Sequence, residues 1–268
     1  MTAQISATLV KELRDRTGAG MMDCKRALQE TNGDIEAATV ILREKGMAQV
    51  AKRAGRATTE GKVGYRLADD GSKGTMVAVG CETEPVSNNE EFLAFAKKVL
   101  EAVEANGIGS DSELEDERVA LSVKLGENIV VVGGARFEAV DGAKIHAYAH
   151  PPANKFGSLL QMRGGDDDLG RKVARHIVSM RPRFIGREDV PADLIASERE
   201  IFANSDEVQS KPEQAREKIV DGMLNKRFYG ANVLVDQEWI YDSSKTVGQT
   251  LKEAGAEVLE FELFVLAA

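Results

Sequence analysis

Cysteine is nearly missing from this chain. The two present, Cys24 and Cys81, lie far apart and form no CxxC pair. A disulfide framework is therefore excluded, and a reducing compartment fits. Each is read as a small core residue rather than a reactive thiol. Histidine is scarce as well, at positions 146, 150 and 176. His146 and His150 stand four apart, but a strand pattern and the Pro151-Pro152 break keep them off a shared helical face, so no metal site is expected. No Ser/His/Asp or Cys/His signature stands out. Gly18-Ala19-Gly20 follows a helical pattern and has neither a third glycine nor a GK[ST] ending, so it reads as a helix break rather than a phosphate loop. Clusters of about five or more Lys/Arg are also missing. With a net charge of −9, this argues against a surface built to coat nucleic-acid phosphates. Nothing approaches the roughly 18 consecutive apolar residues of a membrane span. The opening MTAQISATLVKELRDR is amphipathic but carries acids and has no long apolar centre. It is not read as a signal peptide, and cytoplasm is the expected compartment.

What is there is a 268-residue chain, 43% hydrophobic and 29% charged. That allows one large globular domain or two to three small ones with a sizeable core. Residues 1–50 read as three short helices. Ser6 caps the first, with Ile5 and Val10 placed as a staple, and Leu9, Val10, Leu13 and Thr17 on one face. The second, roughly 21–30, buries Cys24, Ala27 and Leu28. Asp34 caps the third, where Ala38, Ile41 and Leu42 form a stripe and Gly46 closes the helix. Residues 51–62 then read as a linker.

The remainder mixes strands and helices. Strands are expected at 62–68 and 75–81 around the Asp70-Gly71 turn. Helices follow at 90–105 and about 113–125, and then a strand in ENIVVVGGARFEAV. The plan recurs. Tyr65, Gly74, Val77 and Val79 are answered 83 positions later by Tyr148, Gly157, Leu160 and Met162. In the helix that follows, Phe92, Ala96 and Leu100 are answered 77 positions later by Leu169, Val173 and Ile177. The first copy thus carries six more residues between strand and helix. Two β-β-α units of common ancestry, or a chance match, account for so sparse a repeat. Further on, Leu194, Ile195, Ile201 and Phe202 line one helix, and Ile219, Val220, Met223 and Leu224 line its return. Together they read as a projecting, charge-rich hairpin. A strand near 232–240, a helix at 245–254 and a final half-buried strand finish the chain. The fold class is α+β.

Two features resist a purely architectural reading. Met21 and Met22 are adjacent on a helix and point about 100° apart. They form either a wide core stripe or an adaptable contact surface. The second feature is the stretch CETEPVSNNEEF, which leaves a strand through an acidic, proline-stiffened loop longer than such joins need. A solvated connector and a functional probe both fit it.

VKELRDRTGAGMMDCKRALQETNGDIEAA at 10–38 resembles the start of the bacterial translation elongation factor Ts family. So do CETEPVSNNEEF, KLGENIVVV at 124–132, KPEQAREKIVDGM at 211–223 and KTVGQTLKEAG at 245–255. The resemblance runs through nearly the whole chain, in order. It implies a ubiquitin-associated-like three-helix module over 1–55. Two related α+β subdomains with antiparallel sheets follow, over 56–139 and 140–268, and a helical hairpin protrudes at about 192–228. It further implies guanine nucleotide exchange on the GTPase elongation factor Tu, with no enzymatic chemistry and no cofactor of the chain's own, and with no direct contact to nucleic acid or membrane. The residues that the resemblance places against the GTPase are Leu13, Arg14, Met21 and Met22, together with the loop Thr83, Glu84, Pro85 and Val86. That loop is expected to disturb the partner's Mg²⁺ site, whose octahedral geometry tolerates little displacement. His150, Val220 and Met223 are carried to the partner's other domains. The family commonly has Thr-Asp-Phe-Val where this chain has Thr83-Glu84-Pro85-Val86, so Pro85 keeps an apolar tip without an aromatic wedge. Two other classes stay open. In a pure binding module, residues 1–55 alone would retain most affinity. An enzyme on the α+β core would have a deep pocket with perturbed titratable groups.

Overall fold

The computed structural model describes residues 5–266. Three helices open it: α1 (Ala7–Thr17), α2 (Met21–Glu30) and α3 (Ile35–Arg53). Their ends follow from capping chemistry. The Ser6 hydroxyl accepts from the Leu9 N–H at 3.2 Å, and Asp34 accepts from the Ala37 N–H at 3.0 Å. Gly18, at φ 67°, takes the left-handed turn that stops α1. Leu13, Cys24, Ala27, Leu28 and Ala38 are fully buried at the centre of the bundle. Gly46 does not close α3, which runs on to Arg53. A β-carbon there would stand 3.0 Å from Val123, so Gly46 is where α3 lies close against α6 (Glu115–Leu125). The expected linker is therefore helical at its start, and Arg53 donates to the Ser122 carbonyl at 3.0 Å.

Two three-stranded antiparallel sheets follow. The first has the order β1 (Glu60–Leu67), β2 (Lys73–Cys81), β3 (Val130–Glu138). The second has the order β4 (Ala143–Ala149), β5 (Phe156–Arg163), β8 (Glu257–Val265). The central strands, β2 and β5, are buried on both faces. Along β2, Met76 and Ala78 face the other sheet. Val77, Val79 and Cys81 face α5 (Glu90–Asn106), where they meet Phe92, Phe95, Val99 and Val103. Along β5, Leu159 faces the other sheet. Leu160 and Met162 face α7 (Asp167–Met180), where they meet Val173, Ala174 and Ile177. The alternation is the period-two pleat, and it yields four layers: helix, sheet, sheet, helix.

The repeat seen in the sequence is a structural repeat. Gly74 pairs with Phe137 on β3, and Gly157 with Phe264 on β8. The register slips between Ala78 and Val79 in one sheet and between Gln161 and Met162 in the other, again 83 positions apart. Each glycine meets the opposite sheet. A β-carbon on Gly74 would stand 2.5 Å from Ile145, and one on Gly157 2.5 Å from Val63. The helix caps, Asn89 and Asp166, lie 77 positions apart. The acidic run at 166–168 serves this helix. Asp166 accepts from the Leu169 N–H at 2.8 Å, while Asp167 and Asp168 pair with Lys144 and Lys172.

The hairpin consists of α8 (Ala192–Ala203), the short α9 (Asp206–Gln209) and α10 (Glu213–Met223). Its core is Val190, Val208, Val220, Met223, Leu224 and Phe228. Ile201, expected on the apolar side, is exposed. A π-helical turn over Leu224–Tyr229 and a last short turn, α11 (Gly230–Asn232), carry the chain back. The strand expected near 232–240 shrinks to β6 (Glu238–Trp239), paired with β7 (Asp242–Thr246). The reason is that the Leu234 and Val235 amides bond to the carbonyls of Phe184 and Ile185 rather than to a ladder. α12 (Val247–Glu253) then leads into β8.

Two of the histidines are interior groups. His176 is fully buried, stacked on Trp239, with Nε2 2.9 Å from Gln237 Oε1. His146 is buried where α7 crosses β4 at Gly170. Burial holds both below their ordinary 6.5. The unfolded chain then binds these protons first, so their contribution is complete above about pH 6.5 and is lost as pH falls through the depressed folded values. Urea midpoints at pH 7.5 and 5.5 should differ, and by less in His176→Gln than in the wild type. A methyl between the sheets should cost more: Gly157→Ala is expected to lower unfolding free energy by about 1–3 kcal/mol in urea titration.

Candidate functional site

The connector between sheet and helix is longer in the first repeat because it contains a helical turn, α4 (Glu84–Ser87). The open loop expected there is therefore a one-turn helix. Pro85 suits it, since a proline in the first turn gives up only an N–H that has no helical partner. The Glu84 carbonyl accepts from the Ser87 hydroxyl at 2.8 Å, and from the Asn88 amide N–H and side chain, both at 3.1 Å. Thr83, Glu84 and Pro85 are exposed. Val86 is half-buried against the α5 side of the core, and Ser87 is buried. Three of the four predicted residues thus form a tip, and the fourth anchors it.

Both ends of the turn are tied down. At its start, the half-buried Glu127 carboxylate accepts from the backbone N–H groups of Glu82 and Thr83 at 3.0 and 3.1 Å, and from the Thr83 hydroxyl. In return the Glu82 carboxylate accepts from the Asn128 N–H at 2.6 Å, and Arg56 lies beside it. The Cys81 thiol donates to the Thr83 carbonyl at 3.3 Å. Burial, with the Glu127 charge adding to it, pushes that thiol up to about 12, so it is inert at neutral pH. At the far end, the Lys62 ammonium bridges Asn88 Oδ1 at 2.9 Å and the Ala153 carbonyl at 3.0 Å.

The Lys62 bridge brings a second predicted residue to this end of the molecule. His150 is exposed at the start of the β4–β5 turn, with Nδ1 2.9 Å from the Tyr148 hydroxyl. The N-terminal bundle arrives from the other side. Lys124, in the last turn of α6, packs on Gly18 and pairs with Glu91 at 2.6 Å. Met21 is 51% and Met22 66% exposed, which removes the core-stripe reading for this pair. Arg14 is exposed too, and lines the same groove as Met21. Between bundle and α6 runs an open groove of about 1090 Å³, lined by Arg14, Met21, Lys45, Gly46, Val123 and Lys124 among others.

Three predicted contact residues face inward. Leu13 has no exposed surface, and Val220 and Met223 belong to the core of the hairpin. A hydrophobic residue at an interior helix position looks the same in sequence whether it packs inward or meets a partner, so only the fold separates the two. What the sequence reading missed is Glu127 and the reciprocal Glu82. The signal available was the quoted KLGEN stretch, whose acid had no assigned use. Among the described residues, no three His, Cys, Asp or Glu side chains gather to hold a metal, and no helix is long and apolar enough to cross a membrane.

Comparison with known proteins bears on all of this. The family described as Elongation factor TS matches residues 82–268. The chain is 41% identical over 268 residues to elongation factor Ts of Thioalkalivibrio sulfidiphilus, covering 96% of this chain and 90% of the relative. It is likewise 41% identical over 266 residues to elongation factor Ts of Escherichia coli O139:H28, covering 98% and 91%. With matches of that length and identity across a four-layer α+β core, an N-terminal helical bundle and a hairpin, this chain belongs to the elongation factor Ts family of translation elongation factors.

Proposed function

We propose that this chain is the guanine nucleotide exchange factor for elongation factor Tu, acting in translation elongation. Family membership supports the class of activity. The observation that carries the mechanism is the exposed tip Thr83–Glu84–Pro85 on a turn locked at both ends. A rigid probe loses little conformational freedom on binding, so more of its contact energy is available to distort the partner. The tip carries one carboxylate, Glu84, and one apolar ring, Pro85. In the proposed complex they press on the nucleotide site of the GTPase, where Mg²⁺ bridges protein and phosphates in a geometry with little tolerance. Met21, Met22 and Arg14 supply adjacent contact, and His150 supplies contact across the Lys62 bridge. Leu13, Val220 and Met223 act from within, by holding the surfaces above them.

Exchange on this reading is linkage and needs no covalent step. If the factor weakens GDP by some ratio, GDP weakens the factor by the same ratio. Excess GTP then refills the empty site and releases the factor. Continuity of α3 with the core through Gly46, Val123 and Arg53 supports joint action of bundle and tip over capture by residues 1–55 alone.

The test is release of a fluorescent GDP analogue from elongation factor Tu, chased with unlabelled nucleotide. The chain should accelerate release, and an unchanged rate would end the reading. Glu84→Ala should lower the maximal rate by roughly tenfold, in the range of losing one charge-assisted contact. Pro85→Phe should hold or raise it. Separately, Met21→Asp and Met22→Asp should weaken binding to nucleotide-free elongation factor Tu by about tenfold or more in calorimetry, as for central apolar anchors. Because both side chains are exposed, urea midpoints should stay near wild type.

A further inference from the structure

We propose that Glu127 is a positioning residue for the exchange tip, and that the reach of its side chain rather than its charge performs this role. The inference rests on the exchange reading above and deepens it.

A strand that turns into a helix leaves backbone donors with no natural partner. The ladder between β1 and β2 ends at the Glu60–Cys81 pair, and α4 begins at Glu84. The N–H groups of Glu82 and Thr83 fall in the gap, beyond the ladder and before the first helical acceptor. Both point at Glu127 Oε2, at 3.0 and 3.1 Å. The other oxygen, Oε1, accepts from the Thr83 hydroxyl. One carboxylate thus fixes two successive peptide planes and the side chain of the residue that caps α4. Two N–H vectors converging on one oxygen leave the chain little freedom to rotate about the Glu82–Thr83 link. The direction in which Glu84 and Pro85 leave the sheet is set there.

The clamp is reciprocal, which ties it to the rest of the interface. Glu82 Oε1 accepts from the Asn128 N–H at 2.6 Å, and the Asn128 side chain donates to the Arg56 carbonyl at 3.1 Å. The Ser122 hydroxyl donates to the Glu127 carbonyl at 2.7 Å and accepts from the Ile129 N–H at 3.1 Å, so the turn that carries Glu127 is itself braced on α6. α6 is the helix on which the N-terminal bundle rests, through Gly46, Arg53 and Lys124. The turn at 126–128 therefore sets the tip and the bundle in one frame. Both can then reach a single partner surface without a separate ordering step.

Reach and charge make opposite predictions. Glu127→Gln keeps the side-chain length. Its carbonyl oxygen can accept both N–H groups, and its amide can donate to the Thr83 hydroxyl, which also accepts. Glu127→Asp keeps the charge but is one methylene short. Glu127→Ala has neither. If Glu127 positions the tip, Gln should release GDP within about threefold of wild type at saturating factor. Asp and Ala should fall by roughly tenfold or more, the scale of a small misplacement of reacting groups. Half-saturation should move by less than about threefold in all of them, since Met21, Met22 and Arg14 are untouched. Hydrogen exchange of the free chain gives a second readout. The Glu82 and Thr83 amides should lose about tenfold or more of their protection in Asp and Ala and keep it in Gln.

An Asp variant as fast as wild type beside a slow Gln variant would show that the charge acts directly, and would overturn the proposal. So would an Ala variant with wild-type release, or unchanged amide protection in Ala. A wild-type chain that fails to accelerate release sinks the exchange reading instead, and the amide protection then decides the clamp by itself.

Discussion

The close approach of two sheets governs this molecule. Gly74 and Gly157 sit at equivalent points of the central strands, each facing side chains of the opposite sheet at a distance that no β-carbon would allow. Each is paired with a phenylalanine on the third strand of its own sheet, Phe137 or Phe264, and the space a side chain would take is filled from across the gap, by Ile145 and Leu159 at Gly74 and by Val63 and Met76 at Gly157. Native interiors are packed to crystal density, so this contact sets the spacing of the two sheets. The helices α5 and α7 are carried on the outer faces.

From this near-symmetric base the two halves diverge, and the differences coincide with the candidate interface. The second repeat passes from β5 to α7 through a short glycine turn at 164–166, with Asp166 as its cap. The first inserts α4, and with it the exposed Glu84 and Pro85. An insertion at a strand-to-helix join disturbs neither the ladder nor the helix, provided that the freed backbone donors find acceptors. Glu127 supplies the acceptors. The second repeat diverges elsewhere, by growing the α8–α10 hairpin between α7 and β8, with a small core of its own around Val220, Met223 and Phe228.

Much of this was legible in the linear pattern. Helix starts at Ser6, Asp34 and near residue 90, the stop at Gly18, and the strands expected at 62–68 and 75–81, found at 60–67 and 73–81, depend on neighbours within a few residues, and local chemistry decides such features. Gly46 misled for the same reason. A glycine late in a helical stripe looks like a stop, and only its contact with Val123, a residue far away in sequence, shows that it is a packing site. The expected strand near 232–240 failed because its backbone groups are claimed by Phe184 and Ile185, again distant in sequence.

The site divides along the same line. The order of residues alone marked the stretch at 81–92 as anomalous, paired Met21 with Met22 as a question, and raised the repeat, because each is a matter of spacing and side-chain type; Thr83–Val86 within that stretch came from the family resemblance. Burial had to be added by the fold. It turned Leu13, Val220 and Met223 inward and left Met21 and Met22 outside. Proximity had to be added as well: Glu127 beside Thr83, Lys62 between Asn88 and Ala153, Lys124 against Gly18. Spacing along a chain is a local quantity, whereas which atoms meet depends on how all the layers stack.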